Sequence, residues 1–161
     1  MPGSQLAEPS LDRTDKKILD ELQRDGRITN VELARRVGLT PSPCLERVRR
    51  LERLGVIAGY QARLNPDKLG SSLLVFVEIT LNRESPDLFE RFSAAVKLVD
   101  EIESCYLVSG NFDYLLKARV PSMAHYQKLM SKTLLRLPGI ADSRTYVVMD
   151  AVKESPGIAL R

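Results

Sequence analysis

The hydrophobic periods of this 161-residue chain predict an α+β protein in two parts. Three observations carry the prediction. Apolar residues recur at helical spacing in short segments before residue 55, and two of those segments flank a tight turn at Gly38. From residue 72 the pattern changes to strand, helix, strand, strand, helix, strand. The first part therefore reads as a three-helix domain containing a helix-turn-helix, and the second as a ferredoxin-like βαββαβ sandwich.

Bulk composition narrows the class. A hydrophobic fraction of 43% with 28% charged residues is that of an ordinary globular protein. The net charge of +3 is unevenly placed: residues 1–65 hold 12 Lys or Arg against 9 Asp or Glu, and the remainder hold 12 against 12. The basic excess sits in the helical part, which points to an anionic partner there and a neutral one for the rest. Cys44 and Cys105 have no metal-ligand spacing, so each reads as a small buried hydrophobe in a reducing compartment, and no metal is expected. No apolar run reaches the roughly 18 residues of a membrane helix, and residues 1–10 lack the basic start and apolar stretch of a signal peptide. The expectation is a cytoplasmic protein that does not touch membrane.

In chain order, residues 1–10 read as a flexible arm rich in Pro, Gly and Ser. Leu11, Asp15, Ile18, Leu19 and Leu22 follow helical spacing from a start at Asp12, and Asp25-Gly26 supplies the stop. Thr29 with Glu32 forms a capping box for the next helix, Ile28 can staple onto Leu33, and Gly38 ends it. A further helix starts from Thr40 with Pro41 at its first position, where a missing N–H costs nothing, and stops at Leu54-Gly55. Cys44, Leu45, Val48 and Leu51 share its inward face. The helix-turn-helix domain thus spans 11–55. Residues 56–71 read as a small two-stranded wing or linker around Gly59, with Tyr60 and Arg63 near the anionic partner.

The outward face of the second paired helix is where chemistry is expected. Ser42 lies at its N-terminus, where backbone N–H groups and the dipole attract phosphate, and the arginines that follow can grip phosphates or guanine edges. The candidate DNA-contacting set is Thr29, Asn30, Ser42, Pro43, Glu46, Arg47, Arg49 and Arg50. Its partner is double-stranded DNA.

In the second part, 73–81 is a strand buried on most of its surface and broken on one face by Glu78 and Thr80. Leu88, Phe89, Phe92, Val96 and Val99 mark a helix, 102–109 a strand, Gly110-Asn111 a turn, and 112–120 a strand with strict alternation. Pro121-Ser122 opens a helix with Met123, Tyr126, Met130, Leu134 and Leu137 on its stripe; 143–152 is the last strand, and 153–161 a tail. Leu73, Val75, Val77, Ile79, Tyr146 and Val148 leave apolar surface on both sides of the sheet, so a second copy is expected to cover one. At the turn, Gly110 permits close approach, Asp113 offers a carboxylate to an α-ammonium, and turn N–H groups suit an α-carboxylate. His125 has no nucleophile or paired acid in a recognisable motif around it, so no catalytic residue is assigned.

Leu11-Asp12-Arg13, Asp25-Gly26-Arg27-Ile28, the run from Pro43 to Glu52, Gly110-Asn111-Phe112-Asp113-Tyr114 and Leu134-Leu135-Arg136-Leu137-Pro138-Gly139 resemble the leucine-responsive regulatory protein and AsnC family of bacterial transcription regulators. The resemblance covers about residues 11–152. It implies a nucleoid-associated regulator of amino-acid metabolism, not an enzyme and without a cofactor. It further implies dimers assembling into octamers or similar rings, and a small amino acid, leucine or a similar one, bound at subunit interfaces by the 72–152 domain. Carried onto this chain, the recognition helix falls on 42–54 and the effector region on Val108, Gly110, Asn111 and Asp113, with Leu135. The family commonly has Gly-Asp at the turn where this chain has Gly110-Asn111, one formal charge fewer. Two alternatives are a nucleoid-organising protein that wraps DNA with little sequence preference, and an enzyme similar in architecture to sirohaem decarboxylases. The latter is expected to use histidines, and this chain has only His125.

Overall fold

A computed structural model describes residues 9–82, 85–155 and 157–160. Most of the expected N-terminal arm, and part of the loop between the first strand and its helix, lie outside these residues. The chain forms two compact units. Residues up to Arg63, joined by Lys153 onward, make one, and Leu64–Val152 the other.

The first unit holds α1 (Arg13–Arg24), α2 (Asn30–Val37) and α3 (Pro41–Arg53). Asp12 caps α1 through a reciprocal pair: its carboxylate accepts from Asp15 N at 2.7 Å, and Asp15 Oδ2 accepts from Asp12 N at 3.2 Å. Thr29 Oγ1 caps α2 by accepting from Glu32 N, and Gly38, at φ 76°, closes it in the left-handed conformation. Thr40 makes no side-chain cap on α3; there Pro41 removes one orphan donor instead. Ile18, Leu33, Ala34, Cys44 and Leu51 form the core, while Leu45, expected inward, is 37% exposed.

No strand forms between α3 and β1 among the described residues, so the two-stranded wing expected around Gly59 is not seen; residues up to Arg63 go with the first unit and those from Leu64 with the second. The physical reason is local satisfaction of the backbone. Val56 and Ile57 both donate to Leu51 O at the end of α3, and Asn65 Oδ1 accepts from the N–H groups of Asp67 and Lys68. Tyr60 packs on its own unit, its hydroxyl donating to Glu52 at 3.0 Å. The tail joins this unit as well. The Gln23 side-chain amide donates to Ile158 O at 3.1 Å and accepts from Ile158 N at 2.5 Å, and Leu160 packs against the helical core.

The second unit runs β1 (Leu73–Leu81), α4 (Leu88–Val96), β2 (Ile102–Leu107), β3 (Tyr114–Val120), α5 (Met123–Lys132), a 3₁₀ turn (Leu134–Arg136) and β4 (Ile140–Val147). The sheet is antiparallel in the order β2-β3-β1-β4. Val75, Val77, Ile79 and Leu81 of β1, with Leu116, Ala118 and Val120 of β3, pack in one core with Phe92, Val96, Tyr126 and Leu129 of the helices. α5 stops at Thr133, short of Leu137, and β4 starts at Ile140, three residues earlier than expected. Pro138 and Gly139 turn the chain, Asn82 N donates to Gly139 O, and Ile140 then pairs at once with Leu81 across a bulge.

Alternation divides the sheet residues. The register puts Phe76 beside Lys117 and Tyr146, and Glu78 beside Leu115 and Arg144, on the side away from the core. The apolar residues left partly uncovered on that side are therefore Phe76, Leu115 and Tyr146, with Leu74 already buried, rather than the odd-numbered residues of β1.

Candidate nucleic-acid interface and ligand turn

The helix-turn-helix is braced by side chains, because helix backbones satisfy their own hydrogen bonds and leave little to link one helix to the next. Asn30 Nδ2 donates to Pro41 O at 2.8 Å, tying the first residue of α2 to the first of α3. Its Oδ1 is buried without a partner. Glu32 accepts from Arg35 and Arg36, which hold its carboxyl down to about 2, and Arg36 reaches on to Glu21 of α1 at 3.0 Å. Thr29 and Asn30 thus serve the helix pair itself.

On α3, Ser42, Pro43, Glu46 and Arg49 are exposed. Pro43, Glu46, Arg47, Arg49, Arg50 and Arg53 line an open groove of about 520 Å³, with four guanidinium groups to one carboxylate. Arg53, on the same outward face by its spacing from Arg49 and Arg50 though outside the expected contact set, belongs to this surface too. Arg47 and Arg50 differ from the other two. Arg47 Nη1 donates to Asp12 Oδ2 at 2.6 Å and to Asp15 Oδ1 at 2.8 Å, and Arg50 Nη2 donates to Asp15 Oδ2 at 2.7 Å. The Asp15 main-chain N–H and the Arg47 guanidinium hold the Asp12 carboxyl below its ordinary value.

The β2–β3 turn is held mostly by main chain, with one side-chain carboxylate. Val108 N donates to Asp113 O at 2.9 Å, Asp113 N to Ile79 O at 2.9 Å, and Leu81 N to Asp113 Oδ2 at 2.8 Å. Asp113 is buried, so its carboxylate faces the fold and is not offered outward as expected. Gly110 sits at φ 156°, a conformation that a side chain would strain. Asn111 lines a polar cavity of about 170 Å³ with Glu78, Thr80, Phe112, Asp142, Ser143 and Arg144. The strand register pairs Glu78 with Arg144 and Thr80 with Asp142. The polar break at Glu78 and Thr80 was visible in the sequence; its partners on β4 were not. Leu135, 55% exposed on the 3₁₀ turn, does not line this cavity. His125 is exposed, with Nδ1 2.9 Å from the Ser122 hydroxyl that caps α5. No group of three His, Cys, Asp or Glu suited to a metal occurs among the described residues, nor is any helix there long and apolar enough to cross a membrane.

Comparison with known proteins agrees with both halves. Residues 11–58 match the winged helix-turn-helix DNA-binding family, and residues 74–158 match the Lrp/AsnC ligand binding domain. The leucine-responsive regulatory protein of Salmonella typhimurium is 66% identical over 151 residues, covering 94% of this chain and 92% of the relative. That of Serratia marcescens is 62% identical over 159 residues, covering 99% and 97%. Among solved structures, a transcriptional regulator of Neisseria meningitidis in complex with L-Met superposes with TM-score 0.90 at 38% identity, covering 93% of this chain and 97% of that one. An AsnC family regulator from Agrobacterium tumefaciens gives 0.88 at 34% identity, covering 92% and 97%. Two domains matched in order, and relatives matched nearly end to end, establish that this chain belongs to the Lrp/AsnC family of DNA-binding transcription regulators.

Proposed function

We propose that this protein is a sequence-specific regulator of amino-acid metabolism, not an enzyme, whose α3 enters the major groove and whose second domain binds a small amino acid at a subunit interface. The observation that carries the DNA half is the exposed guanidinium groove on α3. Arg49 and Arg53 reach phosphates, the exposed N-terminal end of α3 at Ser42 and Pro43 approaches the backbone, and Glu46 faces base edges. Thr29 and Asn30 contribute by fixing the pair's geometry.

The effector half rests on the turn. Asn111 sits beside both signs of charge, Arg144 for an α-carboxylate and Glu78 or Asp142 for an α-ammonium, while Gly110 keeps the approach open. Val108 and Asp113 shape the turn, and Leu135 supplies apolar surface from elsewhere on the domain. Leucine or another apolar amino acid is the reading favoured by the relatives' names. A second copy covers Phe76, Leu115 and Tyr146, and such dimers assemble further into octamers or similar rings. A ligand between subunits then acts through its different affinity for alternative assemblies. The DNA partner puts the protein in the bacterial cytoplasm, with the nucleoid.

The test is a gel-shift titration of genomic fragments with and without a panel of amino acids, with mass recorded by light scattering. Retention of selected fragments at nanomolar protein, altered by one amino acid together with mass, supports the reading. Equal retention of all fragments would favour a DNA-wrapping role, and no retention at low salt would remove the DNA half.

A further inference from the structure

Asp12 and Asp15 of α1 hold two of the four arginines on the recognition helix. Asp15 is fully buried, its side chain 1% exposed, yet it takes Arg47 on one oxygen and Arg50 on the other. Asp12 is half exposed at 52% and takes the same Nη1 of Arg47 at 2.6 Å. Arg47 thus directs one nitrogen to two carboxylates and leaves Nε and Nη2 uncommitted among the described residues. A buried carboxylate on a neighbouring helix costs desolvation that only close cations offset, so this arrangement orients the arginines as much as it stabilises the domain. An Arg held this way meets DNA in one orientation, and its charge is already half answered by protein.

We infer that Asp15 is a positioning residue for Arg47 and Arg50, and that Asp12 is a specificity-determining residue that competes with DNA phosphate for Arg47. This rests on α3 being the DNA-reading helix. On a non-matching sequence the Asp12 carboxylate keeps Arg47 from a loose phosphate contact and repels the backbone. On a matching sequence the other contacts draw the phosphate close enough to displace it. Discrimination is gained by penalising the wrong partner, as well as by rewarding the right one.

The experiment measures anisotropy of the full-length protein on an operator fragment and a scrambled duplex across a salt series. Asp12→Asn is the first variant, since Asn caps a helix as well as Asp does, which leaves α1 in place. With the Asp12 charge gone, Arg47 keeps only Asp15 and turns its uncommitted nitrogens to one more phosphate, which steepens the salt slope on scrambled DNA by about 0.9, so the affinity lost over a fourfold salt rise grows about 3.5-fold, and the specific-to-scrambled ratio falls. Asp15→Asn lowers the ratio by weakening the operator complex. Asp15→Glu, which keeps the charge and the capping-box position, restores part of it, whereas a defect of the fold alone would weaken binding to operator and scrambled duplex alike and leave the ratio unchanged. Parallel salt plots for wild type and Asp12→Asn overturn the inference while leaving the DNA-reading role of α3 standing. A wild-type protein that binds neither duplex overturns both.

Discussion

The helix α3 and the β2–β3 turn are the molecule's two proposed ligand-facing surfaces, and they are held in place by different means. Side-chain charge orients α3 through Asp15 with Arg47 and Arg50, and ties α2 to α1 through Arg36 with Glu21. Main-chain hydrogen bonds and register hold the turn, with Asp113 N donating to Ile79 O and a single carboxylate, that of Asp113, accepting from Leu81 N. The difference follows from secondary structure. A helix spends its backbone groups on itself, so only side chains remain to orient its neighbours. A strand offers its backbone sideways, so the adjoining loop inherits its register. In both places, a charged residue assigned to a ligand from sequence turns out to answer a group across the fold.

The largest test of this contrast is Phe92→Ala. Phe92 is fully buried under the sheet, and its loss is expected to cost about 3–5 kcal/mol in denaturant unfolding of the second unit. The helix-turn-helix, with a core of its own, should keep its transition; a single shared shift would erase the distinction between the units. Next comes Asp113→Ala, which strands the buried Leu81 N–H and is expected to cost about 1–3 kcal/mol with little dependence on salt. A salt-sensitive loss would mean that the turn, too, is held by charge.

Arg49→Ala removes an exposed guanidinium with no carboxylate bonded to it among the described residues, so DNA binding should weaken on every sequence and the salt slope should lessen by about 1. Unchanged slope in the same anisotropy titration would shift the phosphate contacts to Arg53. Acid should affect the helical unit through Glu32, whose folded pKa of about 2 lies below the ordinary 4.5. Its contribution is therefore complete above about pH 4.5 and lost as pH falls through about 2. Circular dichroism of wild type and Glu32→Gln should diverge above that window and converge below it. Asn111→Ala should change stability by no more than about 0.5 kcal/mol while altering the amino-acid response of DNA binding. A normal response would place the effector elsewhere, with Leu135 the next position to vary.

Much of the architecture was readable before any coordinates, because its signals are local. Thr29 and Gly38 cap where spacing placed them, although the Glu32 carboxylate goes to Arg35 and Arg36 instead of closing the expected box, and β1 ran over the residues whose apolar pattern marked it. The misplacements had local causes too. Val56 and Ile57 turned back onto Leu51, and Ile140 joined the sheet immediately after Gly139. For the candidate sites, the exposed arginines of α3 and the Gly110-Asn111 turn were legible as chemistry, but their partners were not. Asp15 lies 32 residues from Arg47, and Leu81 lies 32 from Asp113.

By itself, then, the sequence determined the order of elements, their capped ends and the faces that must be buried, because period and capping act over a few residues. Only the tertiary structure decided which charges remain for a ligand, which sheet face stays uncovered, and that the tail returns to Gln23. Each of those depends on residues brought together by packing across long stretches of chain, where no short-range pattern carries the information.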